Sequence, residues 1–384
     1  MIEFMGFFCV LYFLLLVWFY QGFKTGVNKM EQKWVVFYVS SHGFGHMTRS
    51  LAVIEEIMKQ TSYHVYLVSG AYLNEFARNY LKKFADRMQY KDLKTDIGLI
   101  TVQNGLTVDV EETEQQLIPF VASWENIVAE EVDQLKNVSI KCVLTDITPI
   151  GALVGERLKV QTIGVSNFTW VEQYEFFHIQ QEIIEAFKEA YSHLDLFGEY
   201  ALALSMESVN CPRKSIGFLS RELDWSKISD LKQQYGHSIF ISCGKAVKID
   251  HVHIENYYGT VFTTSGITVT GSDRIIELPT DTQDTHNYLA ASDLVITKAG
   301  WGTISEAITS SRKLVLIERE SVLEDTHNIQ QLKEEHLAIS IKESELTSLD
   351  IAQLEARADR DISMERLDEY TNQQDKIIEL LGLK

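Results

Sequence analysis

Apolar runs and stretches of helical periodicity alternate along the chain after Met30. In the first half, apolar runs predict strands at 34–40, 64–70, 142–146 and 162–167, and helical periodicity predicts helices at 51–60 and 71–84. A polar helical stretch at 171–191 and an apolar run at 201–206 follow. Short apolar runs separated by helical segments are typical of a parallel sheet with crossover helices.

The same alternation begins again after a charged segment, 220–236, which is predicted to be helical. Strands are predicted at 238–244, near 259–271, and at 274–279, 293–297 and 313–319, and the segment 363–384 is predicted to be an amphipathic helix. We therefore expect an α/β protein with two doubly wound halves, an N-terminal domain at 30–222 and a C-terminal domain at 223–384.

The chain begins with an apolar segment that precedes the first predicted strand. Residues 4–23 carry no charge over about the length that crosses a bilayer, and Lys24, Lys29 and Lys33 follow them. The positive-inside rule then keeps the globular part in the cytoplasm, anchored to the inner face of the membrane. Alternatively, Met30 opens the first domain and residues 1–29 are an over-extended start. The sequence leaves both interpretations open.

Charge and cysteine usage exclude several classes of protein. The 384 residues include 35 basic and 54 acidic side chains, for a net charge of −19, which would repel nucleic acid phosphates. The four cysteines stand singly, without a CxxC pair, so neither a disulfide framework nor a zinc site is predicted. A nucleic-acid partner is not expected, and a reducing compartment fits best.

A glycine-rich segment, SSHGFGHMTRS at 40–50, follows the first predicted strand. Ligands of open parallel sheets bind beyond the carboxyl ends of the strands, so this segment is a candidate site. Gly43 and Gly45 allow a tight turn, and a helix is predicted to start near Thr48. His46 is a candidate general base, although a hydrogen-bonded loop histidine fits the same pattern.

Other functions of this segment are less well supported. His42 and His46 have the spacing of a helical metal pair, but the glycines between them indicate a loop. A nicotinamide-binding domain should have an acidic residue at the end of its second strand, where this chain has Ser69 and Gly70.

Asp146 stands at the end of the third predicted strand, before Pro149. Its carboxylate can cap the following helix or, like the acid of a hydrolase triad, orient a histidine base. The sequence does not decide between these two roles.

The strongest signal is SDLVITKAGWGTISEAI at 292–308, a strand followed by a turn and a helix expected to begin near Thr303. Lys298, Gly300, Gly302 and Thr303 would offer one cation, backbone amides and a hydroxyl to an anion such as a diphosphate. Glu306, expected in the first helical turn, can accept hydrogen bonds from ribose hydroxyls or simply favour the helix N-terminus.

Further polar residues follow neighbouring strands. Asp325 and Asn328 can contact a sugar or cap a helix, and Gly244 provides another turn after the strand at 238–244.

Two of these segments resemble nucleotide-sugar-dependent glycosyltransferases. KAGWGTISEA is similar to their H-x-G-W-N-S-x-x-E core, and FGHMTRSLAV is similar to the G-x-G-H entry loop of those enzymes and of the peptidoglycan N-acetylglucosaminyltransferase. Together with TDITPIGALVGERLKVQTIGVSNFTW, these segments also resemble the glycosyltransferase-like portion of L-arabinokinase. The likeness covers most of residues 31–340.

The resemblance implies a GT-B fold, two facing Rossmann-like domains with the donor in the C-terminal one. It assigns His46 as base, Asp146 as its acidic partner, Thr303 to the phosphates, Glu306 to ribose and Asp325 to the transferred sugar. Gly43, Gly45, Thr48 and Arg49 would form the acceptor-side loop. The sequence departs from the family pattern at two positions, where Lys298 replaces His and Gly302 replaces Asn.

These arguments predict an inverting, metal-independent glycosyltransferase of the hexosyltransferase class. It would use a nucleotide sugar, which we expect to be a UDP-sugar, as co-substrate without any cofactor, and a small or lipid-linked acceptor. The D-x-D triplet at 359–361 lies in a polar helical stretch rather than after a strand, which disfavours a metal-dependent transferase of the GT-A class. A nucleotide-sugar epimerase and a non-catalytic nucleotide-sugar-binding module remain alternatives.

Overall fold

The computed structural model describes residues 32–102, 107–243, 249–319 and 322–383. The predicted anchor or over-extended start at 1–29 lies outside the described residues. Within those four ranges, no helix is both long enough and apolar enough to cross a membrane. The elements below all belong to one compact unit, Trp34–Lys384.

The first lobe is built on a seven-stranded parallel sheet with the order β3-β2-β1-β4-β5-β6-β7. Helices cover both faces of the sheet, so its central strands are continuous apolar runs, and Val35 to Val39 of β1 are fully buried. The strands are β1 (Trp34–Val39), β2 (His64–Ser69), β3 (Met88–Asp92), β4 (Ile140–Asp146), β5 (Thr162–Ser166), β6 (Leu196–Tyr200) and β7 (Arg213–Gly217).

The helices of the first lobe are α1 (Phe44–Gln60), α2 (Ala71–Tyr80), a 3₁₀ turn (Lys82–Arg87), α3 (Val110–Leu135), α4 (Pro149–Leu158), α5 (Trp170–Phe176) and α6 (Gln181–Ser192). The sequence did not predict α3, a 26-residue helix with Pro119 inside it. Its apolar face is nevertheless periodic, because Leu117, Phe120, Trp124 and Val128 are buried at spacings of three and four.

The second lobe repeats the topology. Its six-stranded parallel sheet has the order β12-β10-β8-β13-β14-β15, and β11, β9 and β16 form a small third sheet. The strands are β8 (Ser238–Ser242), β9 (Ile249–Glu255), β10 (Thr260–Thr264), β11 (Ile267–Thr270), β12 (Ile275–Leu278), β13 (Leu294–Lys298), β14 (Lys313–Glu318), β15 (Ala338–Lys342) and β16 (Leu349–Asp350). The helices are α7 (Trp225–Tyr235), α8 (Thr285–Ala291), α9 (Trp301–Thr309), α10 (Leu323–Glu334), α11 (Ile351–Asp361), α12 (Met364–Glu369) and α13 (Asp375–Leu380), with a 3₁₀ turn at Glu343–Thr347.

The prediction of two doubly wound parallel sheets is confirmed, but several elements differ. The apolar run at 201–206 is not a strand, and β6 and β7 lie on either side of it. The predicted helix at 171–191 is two helices, α5 and α6, separated at 177–180. The segment 363–384 likewise forms the two short helices α12 and α13.

Three helix starts were also predicted wrongly. α1 begins at Phe44 rather than near Thr48, and α9 begins at Trp301 rather than Thr303. In both cases the helix begins within the glycine-rich segment, one residue after Gly43 or Gly300. α7 begins only at Trp225, because the Asp224 side chain caps it by accepting a hydrogen bond from the Lys227 amide.

The last helix returns to the first lobe. α13 packs on α1, and Gln374 donates to the backbone oxygen of Ala52. Leu380, 3% exposed, lies so close over β6 that a Cβ on Gly198 would fall 2.6 Å from its side chain. The chain therefore connects the two lobes both at 218–224 and through α13.

We expect Leu380→Ala to lower the free energy of unfolding by about 2–5 kcal/mol, because it leaves a cavity between α13 and β6. Urea denaturation followed by circular dichroism measures the change. Lys376→Ala on the exposed side of the same helix is the matched control. Equal losses in both variants would contradict the packing described here.

Candidate active site

The two lobes face each other across a cavity of about 410 Å³ at the carboxyl ends of both sheets. His42, Gly43 and His46 line it from the first lobe, and Lys298, Gly300 and Glu306 line it from the second. The first-lobe residues follow β1, and the second-lobe residues lie at or after the end of β13. In each sheet, this is the place where the order of the strands changes direction. This is the place where open parallel sheets bind ligands.

His46 lies in the first turn of α1 and pairs with Asp146 at the end of β4. Its Nδ1 atom is 3.0 Å from Asp146 Oδ1, and the side chain is 8% exposed. Asp146 does not cap α4, because Thr148 accepts the hydrogen bond from the Gly151 amide instead. Of the two roles that the sequence left open, Asp146 therefore has the histidine-orienting one.

Arg49, one turn further along α1, completes this cluster. Its Nε and Nη2 atoms donate to both oxygens of Asp146, at 2.7 and 2.5 Å, and Nη1 donates to Asn167 at 2.8 Å. Nη2 is also 3.0 Å from Ser166 Oγ and 2.8 Å from His46 Nδ1. Because Nη2 has two hydrogens and both Asp146 and Ser166 accept them, Nδ1 of His46 is best assigned as the donor to Asp146. The Nε2 atom of His46 is then the basic nitrogen.

The electrostatics of the cluster follow from its burial. Burial alone would raise the pKa of Asp146, but the Arg49 guanidinium and His46 outweigh it and lower this pKa from 3.8 to about 2. Asp146 is therefore a carboxylate at neutral pH, and it stabilises positive charge on His46 less than an isolated carboxylate would, because Arg49 already neutralises it.

Two aromatic rings, one from each lobe, cover the Arg49 guanidinium. The guanidinium carbon lies 5.3 Å from the centre of the Tyr200 ring in the first lobe and 5.5 Å from that of Trp301 in the second. The two rings stack at 4.8 Å, and the Trp301 indole donates to the Ala201 carbonyl at 2.7 Å. The first turn of α9 is thereby fixed to the first lobe beside the histidine.

Gly302, in the same turn of α9, lies close to the backbone of α1 in the first lobe. A Cβ there would lie 3.1 Å from the Gly45 carbonyl oxygen and 3.3 Å from Thr48 Oγ1. A larger residue would require the α1 backbone to shift by a few tenths of an ångström, which favours glycine at the position where the family pattern has asparagine.

The donor-side residues line the N-terminus of α9. Lys298, Gly300 and Thr303 are partly exposed to the cavity, and the Lys298 side chain passes over Gly300, 3.6 Å from where a Cβ would stand. Burial and the nearby Arg319 cation lower the pKa of Lys298. Across the described parts of the chain, its ammonium makes no hydrogen bond. The site therefore has a cation and helix amides available for an anion.

Glu306 lies in the second turn of α9, not the first, and is 8% exposed. Arg221 holds it, with Nε 2.9 Å and Nη2 2.8 Å from the same oxygen, Oε1. The sequence analysis missed Arg221, because it placed 220–236 in one helix. The pairing of Arg221 with Glu306 is seen only in the fold, because the two residues are 85 positions apart in the sequence.

Asp325 and Asn328 lie on α10 and cap nothing, since Val322 is the N-terminal residue before that helix. Both oxygens of Asp325 accept from Arg319, at 2.6 and 2.7 Å. Asn328 donates to the Ala299 carbonyl, and its buried Oδ1 has no partner. Arg319 was also missed by the sequence analysis.

The remaining predicted positions are Gly244 and those of the acceptor-side loop. Gly244 lies outside the described residues. Arg49, predicted for the acceptor-side loop, is instead 3% exposed behind the histidine. Gly43 precedes α1, and Thr48 donates to the Gly45 carbonyl within its first turn.

A third carboxylate, Glu324, connects the lobes across the cleft. Its Oε1 accepts from Asn167, the side chain that also accepts from Arg49. Burial and the adjacent Asp325 raise the pKa of Glu324. The first-lobe wall next to this bridge is apolar, and the ring centres of Phe168 and Trp170 are 5.9 and 6.1 Å from that of His46.

The family comparison agrees with this geometry. Residues 227–380 match the model of the glycosyltransferase family 28 C-terminal domain. An L-arabinokinase from Arabidopsis thaliana is 24% identical over 324 residues, which are 77% of this chain. The aligned part covers only 29% of the length of that relative.

Solved structures share the fold at low identity. The Arabidopsis thaliana protein UGT89C1, in complex with UDP, has a TM-score of 0.62 at 12% identity, over 91% of this chain and 99% of that one. CalG4, the calicheamicin glycosyltransferase, has a TM-score of 0.58 at 14% identity, over 91% and 95%. The predicted resemblance to the GT-B superfamily is confirmed, and the chain has the GT-B fold.

We expect Asp146→Asn to lower the free energy of unfolding at pH 7 by at least about 2 kcal/mol, because it leaves the Arg49 cation buried without a counter-charge. A carboxylate with a lowered pKa stabilises the fold above its unfolded pKa near 4 and loses this effect as the pH falls towards 2. The difference between variant and wild type should therefore shrink over that range in denaturant titrations.

Glu125→Gln is the control, because both carboxylate oxygens of Glu125 also accept hydrogen bonds from an arginine, Arg157, but on the surface. This variant should change stability little. A deficit of Asp146→Asn that stays constant from pH 7 to pH 2 would contradict the role of the carboxylate charge.

Proposed function

We propose that the protein is an inverting, metal-independent glycosyltransferase that transfers a hexose from a UDP-sugar to an acceptor hydroxyl. The observation that carries the proposal is the position of His46, which is held by the buried Asp146 and lines the same 410 Å³ cavity as Lys298 and the N-terminus of α9. One lobe supplies a base and the other a cradle for a diphosphate.

In the proposed reaction His46 Nε2 takes the proton of the acceptor hydroxyl as its oxygen attacks the anomeric carbon. The bond from that carbon to the diphosphate oxygen breaks, and the diphosphate leaves with the electron pair. Asp146 accepts a hydrogen bond from Nδ1 of the imidazole and stabilises the positive charge that the imidazole gains. A single displacement of this kind inverts the configuration at the anomeric carbon.

The departing diphosphate gains negative charge, and we assign its stabilisation to three groups. These are the Lys298 ammonium, the Thr303 hydroxyl and the backbone amides of the first turn of α9. Burial lowers the pKa of Lys298, and an anion that pairs with the ammonium favours its charged form. This arrangement would supply the positive charge without a metal ion.

The donor and acceptor classes follow from the site and from the relatives. UGT89C1 has been crystallised with UDP, with UDP-L-rhamnose and with quercetin. For this chain we propose a UDP-sugar that lies against Glu306, with its sugar near Asp325 and Asn328. The acceptor would be a small molecule with an apolar body that packs against Phe168 and Trp170 and presents a hydroxyl to His46.

Calorimetric titration of UDP in the presence of EDTA, with NAD as comparator, tests the donor site. The protein should bind UDP and not NAD. Absence of UDP binding would contradict the proposal. Transfer from UDP-L-rhamnose to quercetin, as probe substrates, is then followed by UDP release and by product analysis. Conversion of the UDP-sugar without any acceptor would instead indicate an epimerase.

We expect His46→Ala to reduce sugar transfer by about 10²–10⁴-fold, because it removes the general base, while UDP affinity stays within a few-fold of wild type. Glu306→Gln should weaken UDP binding by about 10-fold or more, because it removes a charged acceptor for the ribose. Exchange of these two phenotypes would contradict the assigned roles. Glutamine is chosen at position 306 because it keeps the volume beside Arg221.

A further inference from the structure

Arg221 is a buried guanidinium between the two lobes that the proposed reaction does not use. It lies in the connection 218–224 between β7 and α7 and is 1% exposed. A buried arginine costs free energy unless its hydrogen bonds are all made. Its partners therefore indicate what it is held for.

The main partner is Glu306. Nε of Arg221 donates to one carboxylate oxygen, Oε1, at 2.9 Å, and Nη2 lies 2.8 Å from the same oxygen. Among the described side chains none donates to the other oxygen, Oε2, and Glu306 lines the cavity. The arginine thus occupies one oxygen and leaves the second one available.

The guanidinium itself is fixed from both lobes. In the second lobe Nη1 donates to the Gln283 carbonyl at 2.6 Å, and Nη2 lies 3.4 Å from Thr285 Oγ1. From the first lobe the Tyr80 ring lies 5.6 Å from the guanidinium carbon, and its hydroxyl donates to Glu55 at 2.8 Å. A planar group held in this way gives the Glu306 carboxylate one orientation.

We propose that Arg221 is a positioning residue that fixes Glu306 so that Oε2 faces the ribose hydroxyls of the nucleotide. The inference rests on the proposed function of Glu306. A fixed charged acceptor discriminates strongly against a ligand that lacks the matching hydroxyl, because the acceptor is then left unpaired. Arg221 thereby sets the preference of the site for ribonucleotides over 2′-deoxyribonucleotides, without touching the nucleotide.

A merely structural ion pair predicts something different. If Arg221 only joined the connection to α9, its loss would lower stability and weaken all nucleotides by the same factor. The ratio of the affinities for UDP and 2′-deoxyuridine diphosphate distinguishes the two cases. A general loss of affinity weakens both nucleotides by the same factor and leaves this ratio unchanged.

The experiment is calorimetric titration of both nucleotides into the full chain. Wild type should prefer UDP by about 10-fold or more, the value of one hydrogen bond to a charged group. Arg221→Met and Glu306→Gln should each reduce this ratio to below about threefold. The double variant should reduce it no further, because both changes remove the same oriented carboxylate.

Arg221→Met leaves a buried carboxylate unpaired and can unfold the protein, so thermal unfolding is measured for each variant. Arg221→Lys keeps the charge but not the paired donors, and the double variant removes both charges together. The matched control is Lys59→Met, which breaks the partly exposed 2.7 Å pair of Lys59 with Glu222 on the same connection and should keep the wild-type ratio.

Three outcomes would overturn the inference. Arg221 variants that lose affinity for both nucleotides equally would show a structural role only. A wild type that binds UDP and its 2′-deoxy analogue equally would contradict the ribose contact while the UDP site stands. A wild type that binds neither nucleotide would contradict the proposed function as well.

Discussion

The ion pair between Arg49 and Asp146 is the interaction on which the cleft depends. Two charges buried between α1 and β4 are tolerated because each guanidinium nitrogen donates a hydrogen bond and both carboxylate oxygens accept one. The same hydrogen bonds fix His46 on the same helix. Aromatic rings cover the guanidinium. Tyr200 from the first lobe and Trp301 from the second provide this cover, so one charged pair orients His46 and contributes to the contact between the lobes.

Much of this arrangement could be predicted from the sequence. The strands were visible because both faces of each sheet are buried, which gives unbroken apolar runs. His46 and Asp146 were visible because functional side chains follow such strands. The boundaries of α1 and α9 were not, since glycine usually ends helices and here stands within their first turns. The helix α3 was missed because acidic residues and Pro119 obscure its apolar face.

The residues that sequence reasoning missed are mostly charged partners. Arg221 pairs with Glu306 across 85 positions, and Asn167 pairs with Glu324 across 157. No local pattern encodes such distances, whereas the fold brings both pairs to the same cleft. Arg319 is only six positions from Asp325, but one side chain follows a strand and the other lies on a helix, so periodicity does not connect them.

The return of α13 to α1 has a consequence for how the chain is made. The contact between Gln374 and Ala52 joins residues 322 positions apart. At ordinary rates of synthesis, a ribosome needs on the order of tens of seconds to add that many residues. During this time the apolar surface of α1 that α13 will cover is exposed on the nascent chain. The packing of α13 on α1 can therefore form only after Leu380 has been synthesised, although α1 itself is made near the beginning of the described chain.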